Sequence, residues 1–173
     1  QAAAVPVSGV TALQALRDIG RVQPGQKVLI NGASGGVGTF AVQLARTFGA
    51  DVTGVCSTSN VDLVRSIGAA HVIDYTQEDF TRNGRQYDLI LDNVGNRSLS
   101  ELRRALTRDG TLIPNSNKGS GRWLGGFLRR AVQASVMSPF VSQRLRPFAA
   151  SAKAEDLVVL TGLIESGAVA PVI

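Results

Sequence analysis

The stretch from Lys27 to Gly49 constrains the fold more than any other part of this chain. A short apolar run, Lys27-Val28-Leu29-Ile30, is followed at once by Asn31-Gly32-Ala33-Ser34-Gly35-Gly36-Val37-Gly38. Then comes Thr39 to Phe48, with Phe40, Val42, Leu44, Ala45 and Phe48 apolar, closed by Gly49. That reads as strand, glycine turn, helix. The unit recurs. Asp51 to Cys56 reads as a strand, Asn60 to Ile67 as a helix stopped by Gly68, and His71 to Tyr75 as a strand. Tyr87 to Asn93 is a strand, Arg97 to Leu106 a helix and Gly110 to Pro114 a strand. Apolar strands alternating with helices imply a parallel sheet covered on both faces and joined by right-handed crossovers. The expected fold is α/β, a doubly wound Rossmann-type parallel sheet of about six strands with helices on both faces.

The flanks are less regular. Val7 to Ile19 reads as a helix, with Val10, Leu13, Leu16 and Ile19 apolar and Gly20 just past its end, and Pro24-Gly25 makes a turn. Beyond Asn115, residues 117–121 read as a polar glycine loop, and Trp123 to Val132 as an amphipathic helix. Gln143 to Ala149 is a candidate edge strand, since Pro147 fits only an edge. Lys153 to Ser166 reads as a helix ending at Gly167, and Val169 to Ile173 as an extended segment.

Composition removes several function classes. One Cys, Cys56, excludes a disulfide framework, and with only one His, His71, a metal site made by this chain alone is not expected. No apolar run approaches the roughly 20 residues that span a bilayer, and Gln1 to Pro6 lacks the features of a signal peptide, so a cytoplasmic protein is expected. The net charge of +5 is uneven: residues 1–96 carry 7 basic and 8 acidic side chains, residues 97–173 carry 11 and 5. The excess arginines are scattered and aromatic residues are only 5%, so neither a nucleic-acid nor a membrane partner is expected.

The glycine turn carries the chemistry. In the register Ala33-x-Gly35-x-x-Gly38 it matches a dinucleotide fingerprint with Ala in the first glycine place. Gly35 permits backbone approach to a pyrophosphate and Gly38 permits close packing of helix on strand. The N–H groups of Gly36 and Val37 open the helix toward an anion, aided by its dipole, and Ser34 adds a hydroxyl donor. An NAD site usually has an acid at the end of the second strand, where this chain has Cys56-Ser57-Thr58-Ser59-Asn60. Hydroxyls and an amide accept a 2′-phosphate that a carboxylate repels, which favours NADPH over NADH. The short-chain dehydrogenase pattern, Asn31-Gly32-x-x-x-Gly36-x-Gly38, is also present. Its Tyr-x-x-x-Lys pair is not, because Tyr75 is followed four later by Asp79 and Tyr87 by Leu91.

The ordered set Val7-Ser8-Gly9-Val10-Thr11-Ala12-Leu13, Val22-Gln23-Pro24-Gly25, Asn31 to Gly38, and Ser66 to Tyr75 resembles the medium-chain dehydrogenase/reductase superfamily. It looks specifically like the zinc-free quinone oxidoreductase branch. The resemblance implies that 1–173 is the NAD(P)-binding domain, with 1–22 a hinge-helix segment leading in and 167–173 the start of a return to a catalytic domain. It implies that Ser34, Gly35, Gly36 and Val37 hold the pyrophosphate, Ser57 meets the 2′-phosphate, and Tyr75 meets the adenosine end. Asn93 would line the ribose side, Ile113 would lie near the nicotinamide end, and Thr11 would face the nicotinamide. Asn60 stands where many relatives place a Lys that contacts the 2′-phosphate, so it takes that position with an amide in place of a charge.

The implied activity is hydride transfer from NADPH to a small electron acceptor such as a quinone, an enone or a similar carbonyl compound. No catalytic acid–base pair is assigned within the chain, and the isolated chain is expected to bind cofactor weakly and turn over little. Two alternatives remain at this point: a non-catalytic NADP(H)-sensing module, and a zinc-dependent alcohol dehydrogenase of the same superfamily. The 143–149 edge is a candidate for pairing with a second copy.

Overall fold

The computed structural model describes residues 5–115, 142–151 and 153–172. Strands β1 (Lys27–Asn31), β2 (Asp51–Cys56), β3 (His71–Asp74), β4 (Tyr87–Asp92), β5 (Leu106–Pro114) and β6 (Arg144–Leu145) form one parallel sheet in the order β3-β2-β1-β4-β5-β6. The order reverses between β1 and β4, which in doubly wound sheets is where ligands bind, beyond the carboxyl ends of the strands. Helix α1 runs through Val5–Gly9, Val10–Leu13 and Gln14–Ile19 and is π-wound in its first and last parts. Helices α2 (Gly36–Thr47), α3 (Val61–Ser66), α4 (Leu99–Arg104) and α5 (Ala154–Glu165) follow. The expected fold class is the observed one.

Alternate residues of each strand feed two cores. Val28, Ile30, Leu89 and Leu91 face α1, α2 and α5 through Leu13, Leu16, Phe40, Leu44 and Leu160. Leu29, Ile90 and Leu112 face the other way, onto Leu102 of α4, Ala105 just past its end, and Phe80. Each fully buried Leu or Ile contributes on the order of 1.5–3 kcal/mol of transfer free energy. Because both faces are covered, the central strands read as unbroken apolar runs.

Several boundaries differ from expectation for physical reasons. α4 is shorter than Arg97 to Leu106, because Ser98 caps it. The Ser98 hydroxyl accepts from the Glu101 N–H, and the Glu101 carboxylate accepts from the Ser98 N–H. β5 starts at Leu106 rather than Gly110, because the charged Arg108 and Asp109 hide a strand whose start pairs Leu106 with Tyr87 across an irregular register. The edge strand is only Arg144–Leu145, where Gln143 to Ala149 was expected; Arg146 N–H still donates to Leu112 O, and Pro147 has no N–H with which to continue the ladder. At the end of α1, Gly20 keeps a helical φ of −78° and Arg21 takes the left-handed one, φ 50°. Gly20 is required by packing instead, since a Cβ there would strike Leu89. The expected 117–121 loop and 123–132 helix lie outside the described residues.

Long-range side-chain bonds tie the late segments to the early helices. Gln14 Nε2 donates to Ser151 O at 2.7 Å and to Asp156 Oδ2 at 2.6 Å, and Arg17 donates to Asp156 Oδ1 at 2.6 Å. Gln43 Nε2 donates to Ala170 O, and its Oε1 accepts from the Ala170 N–H. Asp156 is 2% exposed, and the Gln14 and Arg17 bonds hold its carboxyl below the usual carboxylate range.

Asp156→Ala removes charge-assisted bonds to two donors and is expected to cost about 2 kcal/mol, read as a lower denaturation midpoint. Because the folded carboxyl titrates below its unfolded value, this stabilisation is complete above the unfolded pKa of about 4 and fades as pH falls through the folded one. The stability gap between wild type and Asp156→Asn should therefore hold above about pH 4 and narrow as pH falls below it in parallel melts. Gly38→Ala is expected to cost at least about 3 kcal/mol, since its Cβ would run into Gly32 O and the Ala33 backbone, which have no soft side chain to yield; a denaturant melt of that variant checks it.

Candidate functional site

The turn between β1 and α2 is held by backbone bonds to the next strand. Gly32 N–H and Ala33 N–H both donate to Val55 O, at 3.1 and 2.9 Å, and Gly35 N–H returns to Gly32 O at 3.1 Å. Gly32 sits at φ +79°, open to glycine at little cost, and a Cβ there would also approach Val94 at 2.8 Å. Gly38 is in backbone contact with Gly32 and Ala33. Gly35 differs. It is exposed, and a Cβ on it would meet only Gly32 O at 3.5 Å. The fold does not need glycine at 35, so the empty volume above it is free for a ligand.

Gly35 is also the N-cap of α2, with φ −79° and ψ 170°, and no side chain caps the helix. The first-turn N–H groups at Gly36 and Val37 therefore face outward with the positive end of the helix dipole behind them. Ser34 and Val37 are half-buried beside them. Ser8 of α1 closes the floor: its Oγ lies 3.1 Å from where a Cβ of Gly36 would be. Thr11, one turn further on, is buried and donates its hydroxyl back to Val7 O at 2.7 Å.

Beyond β2, Ser57 and Asn60 join through Asn60 Nδ2 donating to Ser57 Oγ at 3.0 Å, with Ser59 Oγ 3.2 Å from Ser57 Oγ. The Ser57 hydroxyl makes no capping bond to the short helical turn Thr58–Asn60. Tyr75 follows β3, 52% exposed, with its N–H on Cys56 O. Thus Ser34, Gly35, Gly36, Val37, Ser57, Asn60 and Tyr75 lie along the carboxyl edge of β1, β2 and β3. Asn93 lies past β4 on the same edge. Ile113 is fully buried in the α1-facing core, and only Pro114 and Asn115 after it are partly exposed.

The residue readings missed a polar layer under this edge. Asn31 Nδ2 donates to Asp92 Oδ1 at 2.8 Å and to Asn96 Oδ1 at 3.3 Å. Asp92 Oδ1 also accepts from Val94 and Gly95 N–H. Asn115 Nδ2 donates to Asn93 Oδ1 at 2.8 Å, which leaves Asn93 Nδ2 as a buried donor without a protein partner. Asp92 Oδ2 is likewise unpartnered. The signal in the sequence was a polar residue closing each of two apolar strands. A second omission is Asp74, which bonds Thr58 in the ribose-side turn; the carboxylate thought absent there arrives from β3. Cys56 is buried, and burial followed by the nearby Asp74 charge pushes its thiol up, so it is poorly suited to nucleophilic work.

An uncapped α2 terminus, a turn open only above Gly35, and an unpaired Asn93 donor together fit a dinucleotide pyrophosphate and its ribose. Two clefts, of about 640 and 490 Å³, open at the other end of the sheet near His71 and near Asp109, away from the turn. Among the described residues no three His, Cys, Asp or Glu side chains converge, and no helix is long and apolar enough to cross a membrane.

Residues 67–173 match the family model described as zinc-binding dehydrogenase. The chain is 34% identical over 182 aligned residues to the chloroplast envelope quinone oxidoreductase homolog of Arabidopsis thaliana, covering 100% of this chain and 53% of that protein. It is 46% identical over 102 residues to the mitochondrial NAD(P)H oxidoreductase RTN4IP1 of Mus musculus, covering 55% of this chain and 26% of that one. The solved quinone oxidoreductase from Coxiella burnetii superposes with a TM-score of 0.82 at 28% identity, over 100% of this chain and 51% of that one. The chain thus spans about half the length, or less, of these relatives. The fold agrees with those matches, and the chain belongs to the zinc-binding dehydrogenase family, on the quinone oxidoreductase-like side of the medium-chain dehydrogenase/reductases.

Proposed function

We propose that this chain is the nicotinamide-dinucleotide domain of an oxidoreductase that uses NADPH in preference to NADH and reduces a quinone, an enone or a similar carbonyl acceptor. The observation that carries the reading is the contrast at the turn: protein backbone fills the space beside Gly38, while the space beside Gly35 is open at an uncapped helix terminus. The names of two relatives, an NAD(P)H oxidoreductase and a quinone oxidoreductase homolog, support it. When bound, the nicotinamide supplies the hydride chemistry.

The chain's own residues bind and orient. Gly36 and Val37 N–H groups with the Ser34 hydroxyl receive the pyrophosphate. Ser57 and Asn60 take the 2′ position, Tyr75 covers the adenosine end, and Asn93 donates toward the ribose from its free Nδ2. Ile113 acts as packing beneath the nicotinamide end. The acceptor's pocket is shared with parts of the protein beyond this chain. Pairing of two copies through the exposed β6 edge is a further part of this proposal, and a dimer mass in light scattering is its expected outcome.

The test is a titration of NADPH and NADH against the protein, followed by fluorescence or calorimetry. Gly35→Ala should leave the melting midpoint nearly unchanged, within about 1 kcal/mol. It should weaken binding of both nucleotides at least about tenfold, or roughly 1.4 kcal/mol. Unchanged affinity in Gly35→Ala would remove the turn from the binding site.

A further inference from the structure

Strand register brings a carboxylate to the ribose-side turn. Asp74 is the Cα partner of Cys56 across β2 and β3, so it ends β3 beside the residue that precedes Ser57. Its oxygens are fully engaged. Oδ2 accepts from Thr58 Oγ1 at 2.6 Å and from Gln77 Nε2 at 3.1 Å. Oδ1 accepts from Thr76 N–H at 2.9 Å and from Thr76 Oγ1 at 2.7 Å. Four donors meet the roughly four lone-pair sites of a carboxylate. The Thr58 hydroxyl bond, followed by that of Thr76, holds the Asp74 carboxyl below its ordinary range, so it stays ionised.

The neighbouring turn has matching polarity. Asn60 Nδ2 donates to Ser57 Oγ, so the Ser57 hydrogen turns either to Ser59 Oγ, 3.2 Å away, or to an incoming acceptor such as a phosphate oxygen. The Thr58 hydroxyl lies 3.1 Å from Thr76 Oγ1 and 2.6 Å from Asp74 Oδ2, and it donates to the nearer, charged acceptor. In this arrangement the turn presents donors, and the carboxylate that β3 brings to it has no lone pair to spare.

We propose that Asp74 is a masked carboxylate, that the Thr58 hydroxyl is the principal mask, and that this bond sets the choice between a ribose 2′-phosphate and a ribose 2′-hydroxyl. With the mask in place, Asp74 cannot accept from a 2′-hydroxyl, and part of its charge is spent on local donors. With the Thr58 hydroxyl removed, Oδ2 regains a lone pair beside Ser57. It then attracts a 2′-hydroxyl and opposes a 2′-phosphate more strongly. This inference rests on the dinucleotide reading above.

The experiment measures dissociation constants of NADPH and NADH for the protein and four variants, Asp74→Asn alone among them as the baseline for the double variant, each checked by its melting midpoint. Thr58→Val should lower the NADPH-to-NADH affinity ratio about tenfold. Thr58→Ser keeps the donor and should retain the wild-type ratio. In the double variant Thr58→Val with Asp74→Asn, the ratio should return to the wild-type value or above it. If both nucleotides bind but Thr58→Val shifts the ratio equally with Asp74 or Asn at position 74, then Thr58 acts without Asp74 and the proposal is overturned. An unchanged ratio in Thr58→Val also overturns it. If neither nucleotide binds the wild-type protein, the dinucleotide reading itself fails, an outcome distinct from the other two.

Discussion

The site depends on a backbone-on-backbone approach, where Gly38 of α2 lies so near Gly32 and Ala33 at the end of β1 that no Cβ fits between them. Nothing at that contact can yield, so it sets where the first turn of α2 lies. The turn is in turn hung from Val55 O by two N–H groups, which couples the end of β1 to the end of β2. Gly54 repeats the device one strand over: a Cβ there would strike Val64 of α3 and crowd Ala33. Three glycines therefore serve three demands: a left-handed φ at 32, helix docking at 38 and a second helix docking at 54. Gly35 serves none of them, and its freedom is what marks the ligand side.

Around this rigid centre the polar layer under the sheet edge is satisfied almost throughout. Asn31, Asp92, Asn96, Asn93 and Asn115 bridge β1, β4 and β5, with Asn31 and Asp92 buried, Asn93 and Asn115 half-buried and Asn96 at the surface; at a buried atom an unmet donor or acceptor costs roughly 1–3 kcal/mol. The two atoms left over, Asp92 Oδ2 and Asn93 Nδ2, are therefore informative, and the second is a donor on the side where a ribose is expected. The amide pairs of Gln14 with Ser151 and of Gln43 with Ala170 act at longer range. They anchor the late segments to α1 and α2, and so steady α1, whose Ser8 meets the first residue of α2.

The fold was legible because its strands are buried on both faces and its turns are marked by glycine. β1, β2 and α2 stand nearly where the pattern put them. Where pattern reading failed, tertiary packing had overridden local chemistry. Gly20 looks like a helix stop, yet it is needed for Leu89, and the left-handed residue is Arg21. Arg108 and Asp109 look like a loop, yet β5 spans them as an irregular stretch between the pairing of Leu106 with Tyr87 and that of Thr111 with Leu89. The site was legible at 34–37, where demands are local. Asn31, Asp92 and Asn115 were not, since a polar residue at a strand end has no assigned partner until three strand ends are brought together.

Asp74 shows why the ribose argument could not be completed along one strand. Reading forward from β2 finds no acid before Asp62, which lies fully exposed on α3 and pairs with Arg65. The acid that matters enters through the β2–β3 register. In a strand, a slip of one residue turns every side chain to the other face. With Asp74 shifted by one place, the apolar Ile73 or the aromatic Tyr75 would stand opposite Cys56. That register is held by the parallel pairing from Thr53 with His71 to Cys56 with Asp74, and by the α3 contact that Gly54 allows. The polarity at the cofactor's ribose end thus depends on helix packing at Gly54 as much as on the residues of the turn, and a substitution that moved α3 would be felt there before it was felt at the pyrophosphate.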